Sequence, residues 1–342
     1  MNLKNSSVTK KIPKIFKNKL ENKRINFIYK RFEKSLKINE NFIVAVSGGP
    51  DSLALAFLAK IYSIKKNLIS KFFIIDHKLR PESTKEAQDV MKVLRKFSIN
   101  PKILTWRGIK PVKNIQSQAR IKRYELLFKQ CNRFKINNIL LGHHRDDLYE
   151  NFFIRILRGS GLKGLISLDK ENIIENKKLL RPLLDQKKED LLFISKNVFG
   201  FYVNDPSNND KKYQRIRIRM LLKELEKDGL DKKKFLRTIK NLKSSNYVVN
   251  FYVNKNLKEN TFFLTKSNRL ILSKNFFDQP HEVIFRAFSE SIKLVNKKYY
   301  AVRGKKLDKI IINLQNNRSL KVTLGGCIIE KVNETVILSK EH

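Results

Sequence analysis

The run Ser47-Gly48-Gly49-Pro50-Asp51-Ser52 packs two glycines, two hydroxyls and an acid into six residues. Five apolar residues, Phe42 to Val46, stand directly before it, and an apolar stretch from Leu53 to Ile64 follows. A buried strand that turns through glycine into a helix start is an anion site. Glycine lets the backbone approach the ligand, and the free N–H groups of the first helical turn point at negative charge. Ser47 and Ser52 add hydroxyl donors, and Pro50 suits a first turn, where no N–H is required. Asp51 would repel phosphate, so its uses are as a magnesium ligand or as an acid at a helix N-terminus. No lysine follows the second glycine, which separates this loop from the G-x-x-x-x-G-K-S/T phosphate loop.

Two further segments place chemistry-bearing residues where apolar runs end. Lys71 to Ile75 runs into Asp76-His77, where a carboxylate could hold magnesium, a base edge or a turn. Asn138 to Leu141 runs into Gly142-His143-His144-Arg145-Asp146-Asp147. Adjacent histidines at a strand end point in different directions, which weakens a transition-metal reading. Asp146 and Asp147 begin a helix, where the dipole favours acids, and Glu150 shares their face. The preferred reading puts one or two carboxylates on magnesium with a nucleotide and uses the histidines to position phosphate or substrate. Arg120, Arg123, Arg155 and Arg158 lie on flanking helices, and Arg215, Arg217 and Arg219 open a later one. Together they suit phosphate or RNA-backbone contacts.

The elements that must position these groups follow from periodicity. Apolar runs at 42–46, 71–75, 101–106 and 138–141 alternate with helices predicted over 53–64, 83–97 and 115–134, and one that starts at Asp146-Asp147 and runs to about 158. Strands that are apolar throughout, separated by helices, predict an α/β fold: a parallel sheet covered by helices on both faces. Ligands in such sheets sit beyond the carboxyl ends of the strands. All three polar segments follow strands, so they converge on one edge. A short helix over 25–36 precedes the sheet. After Gly164 helices are expected at 187–196 and 213–225, and a very basic one at 232–252. Short strand-like runs, two more helices and a closing hairpin, 320–330 with 335–338, predict a smaller C-terminal α+β domain. The expected organisation is a basic N-terminal extension over 1–24, a nucleotide-binding domain over 25–228 and the α+β domain over 229–342.

Composition narrows the partners. The chain has 342 residues, 73 Lys+Arg against 32 Asp+Glu, and a formal charge of +41. That excess points to a polyanionic partner, nucleic acid ahead of a membrane surface. Cys131 and Cys327 are the only cysteines and have no C-x-x-C neighbour, which argues against a disulfide scaffold, a zinc ribbon and a cysteine-held cluster. No apolar run reaches the ~18 residues of a membrane span. Residues 1–24 are basic but lack the apolar core of a secretory signal.

The segments S-G-G-P-D-S, D-H-K-L-R, A-R-I-K-R-Y, G-H-H-R-D-D-L-Y-E-N, R-I-L-R-G-S-G-L-K-G-L, R-P-L-L and D-P-S-N-N-D occur in that order between Phe42 and Arg219. As a set they resemble the tRNA(Ile)-lysidine synthetases, members of the PP-loop ATP pyrophosphatase superfamily. T-L-G-G-C at Thr323–Cys327 extends the resemblance into the second domain, as the family's substrate-binding module, and the chain looks like a shorter form of the family. The resemblance implies a cytoplasmic ligase with ATP as substrate and Mg2+ as cofactor. Its partners would be CAU-anticodon tRNA(Ile) and free L-lysine. ATP adenylates C2–O of the wobble cytidine, pyrophosphate leaves, and the lysine ε-amine displaces AMP, so that the codon read changes from AUG to AUA. It implies ATP binding by Ser47, Gly48, Gly49, Pro50, Asp51, Ser52, Asp76, His77, Arg120 and His143. Asp146, Asp147 and Glu150 become candidate proton acceptors for the amine. Arg155, Arg158, Arg215, Arg217 and Arg219 are assigned to tRNA, and Asp51 with Asp147 to magnesium. Asn151 and Ile216 depart from the family's usual Thr and Asn, which weakens any role for those two positions. The competing readings are a PP-loop tRNA thiolase and a non-catalytic RNA-binding protein with a degenerate nucleotide fold.

Overall fold

A computed structural model describes residues 12–109, 111, 114–205, 210–296 and 304–341. The chain divides into two compact units, Met1–Leu230 and Asp231–His342.

The first unit opens with α1 (Lys14–Leu20) and α2 (Lys23–Ser35). Then β1 (Phe42–Val46), α3 (Pro50–Lys65), β2 (Ser70–Asp76), α4 (Ser83–Arg95), β3 (Pro101–Thr105), α5 (Ile115–Phe134), β4 (Asn138–Leu140) and α6 (Arg145–Ile156) alternate. The short α7 (Leu162–Leu165), a hairpin of β5 (Glu171–Ile174) and β6 (Lys177–Leu180), α8 (Lys188–Phe199) and α9 (Gln214–Lys227) complete it. The sheet runs in the order β3-β2-β1-β4-β6-β5. All its pairings are parallel except the β5–β6 edge. The order reverses between β1 and β4, so a crevice opens there at the carboxyl edge.

The two faces of the sheet carry separate cores. Phe42 and Val44 face α3, which is apolar nearly all round because it is covered on every side. Ile43 and Phe73 point the other way, onto Leu127, Phe128 and Cys131 of α5. Alternate residues of one strand thus serve opposite layers.

Two parts of this unit depart from the sequence-based expectation. Residues 14–24, assigned by charge to a basic extension, are structured. Phe16 is fully buried with its ring 5.8 Å from Phe57 of α3, a burial worth about 1.5–3 kcal/mol. Residues 1–11 of that extension lie outside the described residues. The hairpin of β5 and β6 was not expected as strands. Its arms have only four residues each, β6 opens with two lysines, and the turn uses Glu175 and Asn176 at positive φ rather than a glycine pair. It matters because β6 supplies the strand beyond β4.

The second unit consists of α10 (Lys232–Asn260), β7 (Thr261–Leu264), β8 (Arg269–Leu272), α11 (His281–Asn296), α12 (Gly304–Asn316), β9 (Ser319–Leu324), β10 (Cys327–Val332) and β11 (Thr335–Lys340). Its sheet is antiparallel, in the order β7-β8-β11-β10-β9. Phe276, Phe288, Ile329 and Leu338 form the centre of its core. Gly325 and Gly326, both at positive φ, turn β9 into β10, which gives T-L-G-G-C a structural role as a tight hairpin.

Candidate active site

The loop after β1 is held from within. Gly48 has φ +86°, and a Cβ there would lie 2.7 Å from Val90 Cγ2, so both conformation and space require glycine. Its carbonyl accepts from Val203 N–H at 3.0 Å, which brings the segment after α8 against the loop. Ser52 is buried and serves as the loop's internal hub. Its Oγ accepts from the Ser47 N–H and hydroxyl at 3.1 and 3.2 Å and donates to the Gly49 carbonyl at 2.9 Å. Ser52 therefore shapes the loop, whereas Ser47 is exposed at its mouth. Gly49 and Pro50 start α3, leaving the first-turn N–H groups directed outward beyond the strand.

At the end of β2, Asp76 is buried with both oxygens engaged. Oδ1 accepts from Lys78 N–H and Ser83 Oγ, and Oδ2 from Thr84 Oγ1. Burial alone would raise its pKa, but these hydrogen bonds outweigh it and hold the carboxyl below its usual value. Asp76 thus fixes the turn into α4. His77 meets Trp106 edge-on, with ring centroids 6.1 Å apart.

At the end of β4, Gly142 lies so close to α3 that a Cβ would be 3.3 Å from Ser52 Cα. This contact presses the two loops together. His143 faces the crevice, and its Nδ1 is buried without a hydrogen-bond partner among the described residues. Burial, then Arg181, Arg120 and Arg215, push its pKa down to about 3 against the pull of Asp147, so it is a neutral imidazole at pH 7. His144 is only 3% exposed and caps α6. Its Nδ1 accepts from Asp146 N–H at 3.2 Å, and its N–H donates to Asp147 Oδ2 at 2.9 Å. Its Nε2 stands 3.5 Å from Asp51 Oδ2 and 3.7 Å from Asp147 Oδ2. Burial disfavours a charged ring, but the two carboxylates outweigh it and raise the pKa to about 8. Nδ1 accepts from Asp146 N–H only in the neutral ring, so it is the neutral form, with its proton on Nε2, that caps α6.

Helix α9 lies across the crevice and splits its three arginines by face. Arg215 and Arg219, four apart, turn inward. Arg219 Nε is 2.5 Å and Arg215 Nε 2.9 Å from the carboxylate of Glu150, and Arg215 Nη2 is 3.5 Å from Asp147 Oδ1. Arg217 faces away and donates to the carbonyls of Lys211 and Lys212, both at 2.9 Å. The three arginines therefore do not form one RNA-facing row. Residues 206–209 of D-P-S-N-N-D lie outside the described residues.

These segments enclose a cavity of about 950 Å³. Its walls include Ser47, Gly49, Pro50, Asp51, Ser52, Asp76, His77, His143 and Asp147, and on the far side Arg215 and Arg219. Other expected residues do not line it. Glu150 is 2% exposed and clasped by the two arginines, so it anchors α9 instead of facing a substrate. Burial raises its pKa against the pull of both guanidiniums. Asp146 is outside the cavity lining, which leaves Asp147 as the candidate base that faces it. Arg120, Arg155 and Arg158 also lie outside it. Arg120 covers the Tyr124 ring, Arg158 donates to Gln214, and Arg155 has its pKa lowered by burial and by Arg158 and Arg120.

Arg123 and His144 were given no individual role from the sequence. Arg123 lines the cavity with no hydrogen bond or ion pair among the described residues. Burial, then the like charges of Arg120 and Arg215, lower its pKa from the ordinary guanidinium value despite Tyr124. A guanidinium in that setting has the chemistry to receive an anion. The only sequence signal for it was the second arginine of A-R-I-K-R-Y.

Comparison with known proteins bears on this arrangement. The PP-loop domain family matches residues 16–225. The tRNA(Ile)-lysidine synthase of Orientia tsutsugamushi is 34% identical over 319 residues, covering 89% of this chain and 70% of the relative. This chain belongs to the tRNA(Ile)-lysidine synthase family. The Wolbachia pipientis wMel member is 31% identical over 307 residues, covering 89% and 71% of the two chains. Among solved structures, the U34-tRNA thiolase NcsA from Methanococcus maripaludis, with its 4Fe–4S cluster, superimposes with TM-score 0.54. It is 19% identical and covers 64% of this chain and 78% of its own, a likeness of fold alone. Membership in the lysidine synthase family makes this chain an ATP-using PP-loop enzyme of tRNA modification. Among its described residues no helix is long and apolar enough to cross a membrane.

Proposed function

We propose that this enzyme joins free L-lysine to C2 of the wobble cytidine in CAU-anticodon tRNA(Ile), with ATP as the activating substrate, in the cytoplasm. The observation that carries the reading is the meeting of the S-G-G-P-D-S loop, the His143–Asp147 segment and α9 around one cavity, in a chain of this family. In the first step the cytidine C2 oxygen attacks the α-phosphate, a new O–P bond forms, and pyrophosphate leaves. Charge builds on the leaving group, and the first-turn N–H groups of α3 and the Arg123 guanidinium on the cavity wall would stabilise it. Neutral His143 offers an imidazole N–H without adding charge. In the second step the lysine amine attacks C2, the C–O bond breaks and AMP leaves. Asp147, the candidate base on the cavity wall, draws in the ammonium and takes up its proton.

Asp51 fits magnesium: its Oδ1 is buried with no hydrogen-bond partner among the described residues, while Oδ2 faces His144. Asp147 fits less well, since His144 and Arg215 already hold it. No group of three or more His, Cys, Asp or Glu is set to hold a metal among the described residues, which suits an ion shared between one carboxylate and ATP phosphates. When bound there, magnesium would neutralise phosphate charge.

The excess of cationic residues supports a tRNA partner. The thiolase reading gains no support from Cys131 and Cys327, which are both buried and belong to different units. The test is incubation of purified protein with ATP, magnesium, labelled lysine and CAU-anticodon tRNA(Ile). Label should enter the tRNA as AMP and pyrophosphate appear. An unlabelled tRNA that instead gains sulfur from a sulfur donor would overturn the reading.

A further inference from the structure

His144 touches two acids from different parts of the chain. Asp51 belongs to the first turn of α3 and Asp147 to that of α6. Without a group between them their charges would repel. The His144 Nε2 faces both, at 3.5 and 3.7 Å, from a ring only 3% exposed. The ring itself cannot turn freely, because its Nδ1 is occupied by Asp146 N–H. Its backbone is fixed too, by the N–H bond to Asp147. One imidazole thus caps a helix with one nitrogen and stands near two carboxylates with the other, nearer to Asp51. The consequence falls on Asp51. With Oδ2 turned to His144, Oδ1 is left without a partner and buried beside the phosphate loop.

We propose that His144 is a positioning residue for the nucleotide: its Nε2–H bridges Asp51 to Asp147 and so aims the free oxygen of Asp51 at magnesium–ATP. The bridge also locks the loop after β4 to the loop after β1, a junction already tight at Gly142 and Ser52. This inference rests on the proposed reading only for the identity of the ligand. Its test measures nucleotide binding and not lysine transfer, so the two can fail separately.

The two jobs of the ring can be divided by substitution. In His144→Asn the side-chain oxygen sits near the place of Nδ1 and keeps the cap, but nothing reaches Asp51. In His144→Gln the amide nitrogen sits near the place of Nε2 and can donate to Asp51, but the cap is lost. The probe is magnesium with an ATP analogue carrying methylene between the α- and β-phosphates, bound to the full chain without tRNA or lysine. His144→Gln should keep affinity within about threefold of the parent, while His144→Asn should lose about tenfold or more. The Asn variant should also need more magnesium for half-saturation. In an Asp51→Asn background, the Gln and Asn variants should bind alike. Equal binding by the two variants in the Asp51 background, or stronger binding by His144→Asn, overturns the proposal.

Discussion

Arg219 Nε lies 2.5 Å from Glu150 Oε1, across 69 residues of chain. Glu150 is almost inaccessible, while the side chains of Arg219 and its neighbour Arg215 are 29% and 41% exposed. One buried acid therefore ties α9 to α6 and gives the cavity its far wall. Three consequences concern the walls of that cavity, and a fourth concerns pH.

Glu150→Ala should destabilise the fold. Removing one partner of a buried ion pair costs about 3–5 kcal/mol, and partial solvation of both arginines reduces that to about 2 kcal/mol here. A denaturant titration checks it, with the midpoint falling and the slope unchanged. Nucleotide affinity should fall as well, because Arg215 loses its anchor.

Gly48→Ala should abolish productive ATP binding. The residue would have to adopt φ +86° and place Cβ 2.7 Å from Val90. Left-handed strain and crowding add about 2–4 kcal/mol together. Titration with ATP should show the loss, while tRNA retention on a filter stays near the parental level.

Arg123→Gln should separate stability from function. The guanidinium has no counter-charge among the described residues, so its removal should leave the unliganded protein equally or more stable. Pyrophosphate release should nevertheless drop about tenfold or more, as expected when an electrostatic stabiliser of the leaving group is lost. A variant that melts lower and turns over normally would show Arg123 to be structural.

Acid should weaken the protein through His143. Its pKa is depressed in the folded state to about 3, from an ordinary 6.5. The unfolded chain therefore binds the proton more readily. The stabilisation is fully present above pH ~6.5 and is lost as pH falls toward 3. Urea midpoints measured across that window should decline with acid, and His143→Gln should flatten part of the decline.

Much of this site was legible in the chain because its signals are local. A glycine turn after an apolar strand specifies its own geometry within six residues, and apolar strands alternating with helices dictate a covered parallel sheet. Once that topology holds, loops after β1, β2 and β4 must share one edge. The acids at 146, 147 and 150 were recognisable as a helix start, but not their separate fates.

Sequence by itself determined the sheet, its functional edge and the class of chemistry there, since those depend on period, turn residues and chain order. Tertiary structure decided which side chains meet. Arg215 and Arg219 turn to Glu150 while Arg217 turns away, because α9 presents one face to the crevice. His144 finds Asp51, and Phe16 finds Phe57, only because the layers bring distant segments into contact. No local pattern encodes such pairings. They follow from which face of each helix is buried, and that is settled only when the whole unit packs.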